Sequence, residues 1–333
     1  WNKNKSNKMR SIIYLINRKF ILLIFFLFLI SCNDTNSREN EILSIPVDLT
    51  IDRFDKKFHL AKPEDIPELK TTYPFLFPDK FNDSVWIKRQ NDSLQLLLLK
   101  NVDEKFNSMV QLEENLEYLF KYCKYYFPGT NTPRVIGLIN NVDYQSKTIY
   151  TDSLLLISLD TYLGSDHYLY EGIPKYVRQE MDIEYLTSHV ASKYAANKIP
   201  PNKDRSLLSQ MIYHGKQIYF KELVLPRSTD AQKMGYTNEQ IDWVIENEVY
   251  MWQYFIQKQI LYKTDPSLIQ RFIDPAPFSK FYLEIDNQSP GRIGVWMGWQ
   301  IIRSYMHRYP DTKISDLLNL PAQTLFLKSN YKP

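Results

Sequence analysis

The stretch "SPGRIGVWMGWQ", residues 289–300, decides how the second half of this chain folds. It holds three of the nine glycines and two of the six tryptophans of the chain: Gly291, Gly294, Gly298, Trp296 and Trp299. Ser289 followed by a proline predicts a helix in which the serine is the N-cap and the proline takes the first helical position. Gly294 and Gly298 then lie on one face, where the missing side chains allow another helix or strand to approach closely.

The alternative interpretation of this stretch is a glycine-rich loop that binds phosphate. Such a loop carries its glycines between a strand and the start of a helix, as in the G-x-G-x-x-G pattern. Here the glycines instead continue into an apolar pattern with helical spacing. Because an interior glycine costs a helix about 1 kcal/mol relative to alanine, we predict that close packing against the glycine face offsets this cost.

Arg292 is the one residue of the stretch that a packing helix does not explain. It falls in the first turn of the predicted helix, where the helix dipole disfavours a cation. We therefore expect a carboxylate beside it, and the simplest partners are Glu284 and Asp286, just upstream. A bound anion is the alternative.

Outward from this stretch, the chain is predicted to be almost wholly helical after Asp160. Apolar residues at three- and four-residue spacing predict helices over 174–196, 204–222, 237–262, 265–273, 290–308 and 313–319. Thr237 lies three residues before Gln240, which is the spacing of a capping box, and so marks a helix start. An earlier helical region runs from Asp83 to Tyr126.

Strand-like segments are confined to the first half of the chain. Residues 47–54 alternate between apolar and polar side chains, which predicts a half-buried strand. The runs "PRVIGLIN" (133–140) and "LLLISLD" (154–160) are apolar and bounded by turn residues, and we predict that they form a hairpin. The predicted fold class is therefore α+β and predominantly helical, with a small N-terminal antiparallel sheet.

The segment "NRKFILLIFFLFLISC" (17–32) indicates where the protein resides. Its basic residues precede an apolar run from Phe20 to Ile30, which is too short to span a bilayer comfortably and is typical of a signal peptide. The run ends in Leu-Ile-Ser-Cys, which resembles a bacterial lipobox, so Cys32 is predicted to become the acylated N-terminus. A plain cleaved signal peptide and an uncleaved anchor are the alternatives.

These features divide the chain into a signal peptide (1–31), a lipidated flexible tether (32–41) and a single globular α+β domain (42–333). Six basic residues and no acid precede Cys32, so the formal charge of +3 leaves 35 basic and 38 acidic residues in the remainder. This balance excludes the large basic surface that nucleic-acid binding needs. With Cys32 acylated, Cys123 has no intrachain disulfide partner and is predicted to be a buried apolar residue.

Catalytic residues are hard to find in this sequence. It contains no H-E-x-x-H, G-x-S-x-G, P-loop or C-x-x-C motif. The nearest approach to a metal site is spread over three predicted helices and consists of His189, His214, Glu246 and Glu248. Zinc needs three or four such ligands that converge. Each of the four residues also fits an ordinary structural role, and we predict neither a bound metal nor another cofactor.

Several long strings in the second half carry a resemblance to a known family. They are "MIYHGKQIYF" (211–220), "YTNEQIDWVIENEVYMWQYFI" (236–256) and "RFIDPAPFSKFYLEIDNQSPGRIGVWMGWQIIRSYM" (271–306). Together with the lipobox, they resemble the GldB family of gliding-motility lipoproteins of Bacteroidetes, over essentially the whole chain after Cys32. The resemblance implies an envelope lipoprotein that is required for gliding, in a system tied to the type IX secretion machinery.

The same region is also similar to a family of zinc peptidases with a gluzincin-like helical body. In that family an H-E-x-x-H helix supplies two ligands and the general base, and a later glutamate-glycine pair supplies a third ligand. The resemblance puts His189 and Lys193 at the first two ligand positions, Val190 at the base and His214 at the glutamate. A lysine ammonium repels Zn²⁺ and a valine cannot activate water. The resemblance therefore implies a degenerate peptidase scaffold without its chemistry.

Two functions from different classes follow. The first is a non-catalytic lipoprotein that Cys32 anchors to a membrane of the cell envelope, with the periplasmic face of the outer membrane favoured. It binds protein partners of the gliding and secretion apparatus. Its candidate cleft residues are His189, Lys193, His214, Glu246, Glu248 and Arg292. The second is a zinc-dependent envelope peptidase or hydrolase, and we predict the first.

Overall fold

The structure is a computed structural model that describes residues 33–283 and 286–333. The described residues divide into two units, with the boundary between Pro46 and Val47. In the first unit, helix α1 (Asn33–Leu43) occupies the stretch for which the sequence predicts a flexible tether. The charged residues in the second half of α1 are good helix formers, which an interpretation based on polarity alone overlooks.

Two predictions concern residues that lie outside the described part of the chain. They are the signal peptide (1–31) with its acylated Cys32, and Glu284 as a partner of Arg292. Both stay predictions.

A four-stranded mixed sheet lies in the first half of the second unit. Its strands are β1 (Ile51–Arg53), β2 (Arg134–Leu138), β3 (Thr148–Tyr150) and β4 (Leu154–Ser158). They are arranged in the order β1–β2–β4–β3, in which β1 is parallel to β2, β2 is parallel to β4, and β3 is antiparallel to β4. The α+β class is confirmed, whereas the sheet is mixed and not antiparallel.

The predicted hairpin between β2 and β4 is wrong. β4 forms its hairpin with β3, because the turn at Thr151–Ser153 is closed locally: the Thr151 amide donates to the Leu154 carbonyl at 2.8 Å. This loop is far shorter than the connection from β2, so its closure costs less entropy. β4 then pairs with β2 in the parallel direction.

The remaining described elements of the second unit are mainly helices. Those before β2 are α2 (Phe54–Leu60), α3 (Ile66–Thr72), α4 (Asp83–Gln90), α5 (Ser93–Lys105) and α6 (Val110–Tyr126). Those after β4 are α7 (Lys175–Arg178), α8 (Leu186–Lys198), α9 (Leu207–Val224), α10 (Asp230–Met234), α11 (Asn238–Glu246), α12 (Glu248–Gln257), α13 (Pro266–Phe272), α14 (Ile293–Arg308), α15 (Ile314–Asn319) and α16 (Ala322–Ser329).

Several local predictions can be compared directly with these elements. Thr237 accepts a hydrogen bond from the Gln240 amide, so the predicted capping box is confirmed. The predicted helix 237–262 is interrupted at Asn247, whose non-helical backbone (φ −105°, ψ 7°) separates α11 from α12. Cys123 is fully buried on α6, and burial raises the pKa of its thiol far above the usual range, as expected for an apolar core residue.

Helices α9 and α14 cross with their backbones in contact. A Cβ on Gly298 would lie 1.8 Å from the Met211 carbonyl oxygen, and a Cβ on Gly215 would lie 2.3 Å from the Gly298 carbonyl carbon. No side chain fits at either position. The predicted packing face is confirmed at Gly298, and its counterpart on the facing helix is Gly215.

The start of α14 differs from the prediction. The helix begins at Ile293, and Arg292 is its N-cap residue, in the left-handed conformation (φ 63°, ψ 24°) and without a side-chain cap. The Ser289 hydroxyl instead donates to the Asp286 carbonyl at 2.7 Å and accepts from the Ser279 amide at 3.1 Å. Because these bonds engage the serine in the preceding turn, it cannot cap the helix.

Candidate functional site

A polar network connects α8 to the start of α14. We call Tyr162, Glu180, His189 and Arg292 the His189 network. The Nδ1 atom of His189 lies 2.9 Å from the Tyr162 hydroxyl, and its Nε2 atom lies 2.9 Å from Glu180 Oε2. Arg292 Nη1 lies 3.5 Å from Glu180 Oε1 and donates to the Met234 carbonyl at 2.9 Å. The network therefore joins four separate segments of the second unit.

The charges in this network follow from burial and from the partners. Burial by itself raises the pKa of Glu180, but the hydrogen bond from His189 and the charges of Arg292 and Lys147 bring it down to about 2. Burial lowers the pKa of His189 to about 4, although the bond to Glu180 opposes this shift. At neutral pH Glu180 is therefore a carboxylate and His189 is a neutral imidazole.

One tautomer of His189 satisfies every hydrogen bond of the network. Burial raises the pKa of Tyr162 well above its usual value, so its hydroxyl stays protonated and donates to His189 Nδ1. The Nε2–H group then donates to Glu180, whose other oxygen faces Arg292. Because both ring nitrogens of His189 are bonded to protein groups, the imidazole has no lone pair or proton left for a substrate or a metal ion.

Further basic groups surround Glu180. Lys221 on α9 is buried and donates to the Lys233 carbonyl at 2.8 Å, and burial, with the charge of Arg292, lowers its pKa to about 7. Lys147, just before β3, is partly buried, and burial lowers its pKa. Burial and the charge of Arg292 lower the pKa of His214 on α9 to about 4. The charge of Glu180 opposes the lowering of the pKa of Lys147 and of Lys221.

Three of the six predicted cleft residues lie together, and three do not. His189, His214 and Arg292 belong to or adjoin the network. The other three lie apart: Lys193 and Glu246 are exposed, and Glu248 accepts hydrogen bonds from Trp296 Nε1 at 3.2 Å and from the Tyr331 hydroxyl at 2.5 Å.

The predicted carboxylate beside Arg292 is present, but it is Glu180. Asp286, one of the two proposed partners, accepts the backbone amides of its own turn, from Phe281 at 3.0 Å and Tyr282 at 2.8 Å. A short acidic side chain that closes a local turn in this way is not available to a neighbouring arginine. The simplest partner in sequence was therefore the wrong one.

The residues at the zinc-peptidase positions do not fit a metal centre. Both ring nitrogens of His189 bind protein groups, Val190 is fully buried, and the side chain of Lys193 is exposed. Within residues 33–283 and 286–333, no group of three or more His, Cys, Asp or Glu side chains is placed to hold a metal ion. We therefore derive no metal-dependent step from this site.

Sequence reasoning missed Glu180 and Tyr162, the two groups that bind His189. A weak signal for the first was Gly235, which follows α10 in the left-handed conformation (φ 72°) that favours glycine at a helix end. A Cβ on Gly235 would lie 2.5 Å from Glu180 Cδ. This glycine leaves room for the carboxylate, but its neighbours in sequence do not indicate which carboxylate that is.

Exposed apolar side chains occur together on α12. Val249, Trp252 and Ile256 share one face of the helix, and Tyr250 lies next to it. Tyr250 is 69% exposed, Ile256 48% and Val249 43%, whereas Trp252 is partly buried, with its ring 5.8 Å from that of Phe326 on α16. We call these four residues of α12 the α12 surface. An apolar surface of this kind is typical of a protein-binding site.

No helix in the described part of the chain is both long enough and apolar enough to cross a membrane. No curated protein and no solved structure matches the chain. The family model described as "Gliding motility protein GldB" matches residues 35–333, which is nearly the whole chain. The strings that carry the resemblance, at 211–220, 236–256 and 271–306, lie inside this match. The chain belongs to the GldB family of gliding-motility lipoproteins.

Proposed function

We propose that this lipoprotein is a membrane-anchored, non-catalytic component of the gliding and type IX secretion apparatus, and that it works by binding protein partners. The observation that carries this proposal is the state of His189. At the position where the resembling peptidases hold zinc, its two ring nitrogens are 2.9 Å from Tyr162 and 2.9 Å from Glu180.

The His189 network favours a structural role over a catalytic one. Each of its polar groups has a partner, and its central carboxylate faces Arg292 on one side and His189 on the other. A buried network with all members satisfied restrains the elements that it joins. We infer that its role is to hold α8, α10 and the start of α14 in place.

The α12 surface supports the partner-binding part of the proposal. It combines aromatic and aliphatic side chains, and aromatic residues contribute much of the binding energy at protein interfaces. Acylation of Cys32 would keep this surface close to a membrane, and we propose the periplasmic face of the outer membrane. One myristoyl-sized chain gives only marginal binding, so the diacylated cysteine of a lipoprotein suits stable anchoring.

The partner-binding role can be tested by gliding assays and crosslinking in the same cells. A strain that lacks the gene is complemented with Tyr250→Asp, and separately with a photocrosslinking amino acid at position 250. The control is Leu96 on α5, which is 47% exposed and lies outside the α12 surface.

We expect Tyr250→Asp to abolish or strongly slow gliding at wild-type abundance, and Leu96→Asp to have no effect. The crosslinker at position 250 should capture a discrete envelope protein, whereas position 96 should not. Normal gliding of Tyr250→Asp, together with no crosslink at position 250, would contradict the proposal for this surface.

The second candidate function, a zinc-dependent envelope peptidase, rests on the resemblance at His189 and His214. It is tested by the metal content of the protein purified from the envelope without chelators. We expect substoichiometric zinc that does not change in His189→Gln. One zinc per chain that this variant loses would favour the peptidase.

A further inference from the structure

A cavity of about 150 Å³ lies between α2, α4 and the end of β2, far in sequence from the His189 network. Four aromatic residues, Phe54, Phe58, Phe77 and Trp86, form its apolar wall. Two pairs of these rings pack edge to face, with centroids 4.8 Å apart for Phe77–Trp86 and 5.9 Å apart for Phe54–Phe77. An apolar cavity of this volume holds a molecule of about the size of benzene.

Two side chains in the cavity wall carry buried nitrogen atoms without a partner among the described residues. They are Trp86, whose Nε1–H is a donor, and His59, at its Nε2 atom. Trp86 is only 7% exposed. A buried donor that lacks an acceptor costs a folded protein free energy, so such atoms are rare. The unpaired Trp86 donor in this wall indicates that a hydrogen-bond acceptor binds there.

The charge in the wall of this cavity favours an anion. Arg89 on α4 lines the cavity, is partly buried, and forms no hydrogen bond or ion pair with another side chain of the described residues. Asp55, the acid in the same wall, is neutralised by a bidentate pair with Arg53, at 2.9 Å and 2.7 Å. Burial raises the pKa of Asp160 to about 6, and backbone hydrogen bonds from Val142 and Asn140, together with the charge of Arg89, oppose this rise.

We propose that this cavity binds a small carboxylate with an apolar body of about the size of a benzene ring. The aromatic wall takes the apolar body, and the carboxylate accepts hydrogen bonds from the Trp86 indole and the Arg89 guanidinium. Arginine binds carboxylates well because its planar donors match the two oxygens. The site is independent of the partner-binding role proposed above.

The test uses the full-length protein in detergent and two ligands of the same shape, benzoate and the neutral benzamide. We expect benzoate to bind at least tenfold more tightly than benzamide by calorimetry, because the charge-assisted bonds need the carboxylate. Arg89→Gln should weaken benzoate binding by roughly tenfold or more and leave benzamide binding unchanged. Since Arg89 is partly exposed, this variant should fold normally.

A second measurement locates the site by following the unmodified protein, and a variant serves only to assign one signal. In the ¹⁵N–¹H spectrum, the indole N–H signal that Trp86→Phe removes should shift when benzoate is added to the unmodified protein. Equal binding of benzoate and benzamide would overturn the proposal. So would the absence of binding by either ligand at millimolar concentration, which would mean that water alone satisfies the polar atoms of this cavity.

Discussion

The His189 network and the cavity beside Trp86 treat buried polar groups in opposite ways. In the network, the Tyr162 hydroxyl, both nitrogens of His189 and both oxygens of Glu180 have partners in the protein. In the cavity wall, nitrogen atoms of Trp86 and His59 have none among the described residues. A satisfied group stabilises the fold, whereas an unsatisfied donor in the wall of a cavity indicates a place for another molecule. The comparison separates a structural site from a candidate binding site within one protein.

The largest expected effect comes from removing the carboxylate of the network. Glu180→Ala leaves Arg292 and Lys147 partly buried without their counter-charge, so the free energy of unfolding should fall by about 4 kcal/mol. Chemical denaturation measures this change. Glu246→Ala is the control, because the exposed Glu246 should change the stability by less than about 0.5 kcal/mol. A small effect at Glu180 would mean that the network does not stabilise the fold.

The second largest loss of stability is expected at the crossing of α9 and α14. Gly298→Ala puts a methyl group where the Met211 carbonyl already lies, at 1.8 Å, so the two helices must separate, at a cost of about 3 kcal/mol. The control is Gly129→Ala, since a Cβ there would meet no described atom within 4 Å and should be neutral or slightly stabilising.

The same crossing variant sharpens the comparison between the two regions. In Gly298→Ala, the NMR signals of His189 should shift, whereas the Trp86 indole signal should stay in place. If both regions change together, they are not the separate sites described above.

Acid should weaken the His189 network. The pKa of His189 is about 4 in the folded protein, against 6.5 for a free histidine side chain. The unfolded chain therefore binds more protons between these values, and stability falls as the pH drops from about 6.5 to 4. Glu180, with a pKa of about 2 against 4.5, extends the loss to lower pH.

We expect the titration of His189 to lower the free energy of unfolding by on the order of 2 kcal/mol between pH 7 and pH 4.5. Chemical denaturation at the two pH values measures this change. The loss of stability between these two pH values should be smaller in His189→Gln, because glutamine keeps a donor for Glu180 but does not titrate. An equal loss of stability between pH 7 and pH 4.5 in both proteins would contradict the neutral, buried state assigned to His189.

The smallest expected effect comes from removing single buried hydroxyl groups, one with a hydrogen-bond partner and one without. Tyr162→Phe removes a hydroxyl that donates to His189 and should cost about 1–2 kcal/mol. Thr148→Val removes a buried hydroxyl that has no partner among the described residues, so it should be neutral or stabilising. Thermal unfolding of the two variants measures the difference. An equal loss of stability in both would mean that the two hydroxyl groups do not differ in this way.

What could be predicted from the sequence was local. The spacing of Gly294 and Gly298 predicts close helix packing, and Thr237 with Gln240 predicts a capping box; both are present. Patterns of this kind involve residues within one or two helical turns. They also hold the information on the family, because the strings that carry the resemblance are continuous.

What could not be predicted depends on contacts between distant segments. Arg292 pairs with Glu180 and not with Asp286, and Gly298 meets Gly215 on another helix. The pairing of β2 with β4 was predicted in the wrong direction, because β3, which lies between them in sequence, forms the hairpin with β4. Periodicity and spacing describe the faces of an element, but not which other element each face contacts.

Gliding of cells that carry His189→Gln tests the central claim most directly. Glutamine can donate to Glu180 as the imidazole does, but it cannot replace a histidine as a metal ligand or a proton acceptor. With abundance and thermal stability measured in the same strain, we predict gliding at the wild-type speed. A stable, normally abundant His189→Gln protein that fails to support gliding would contradict the non-catalytic role.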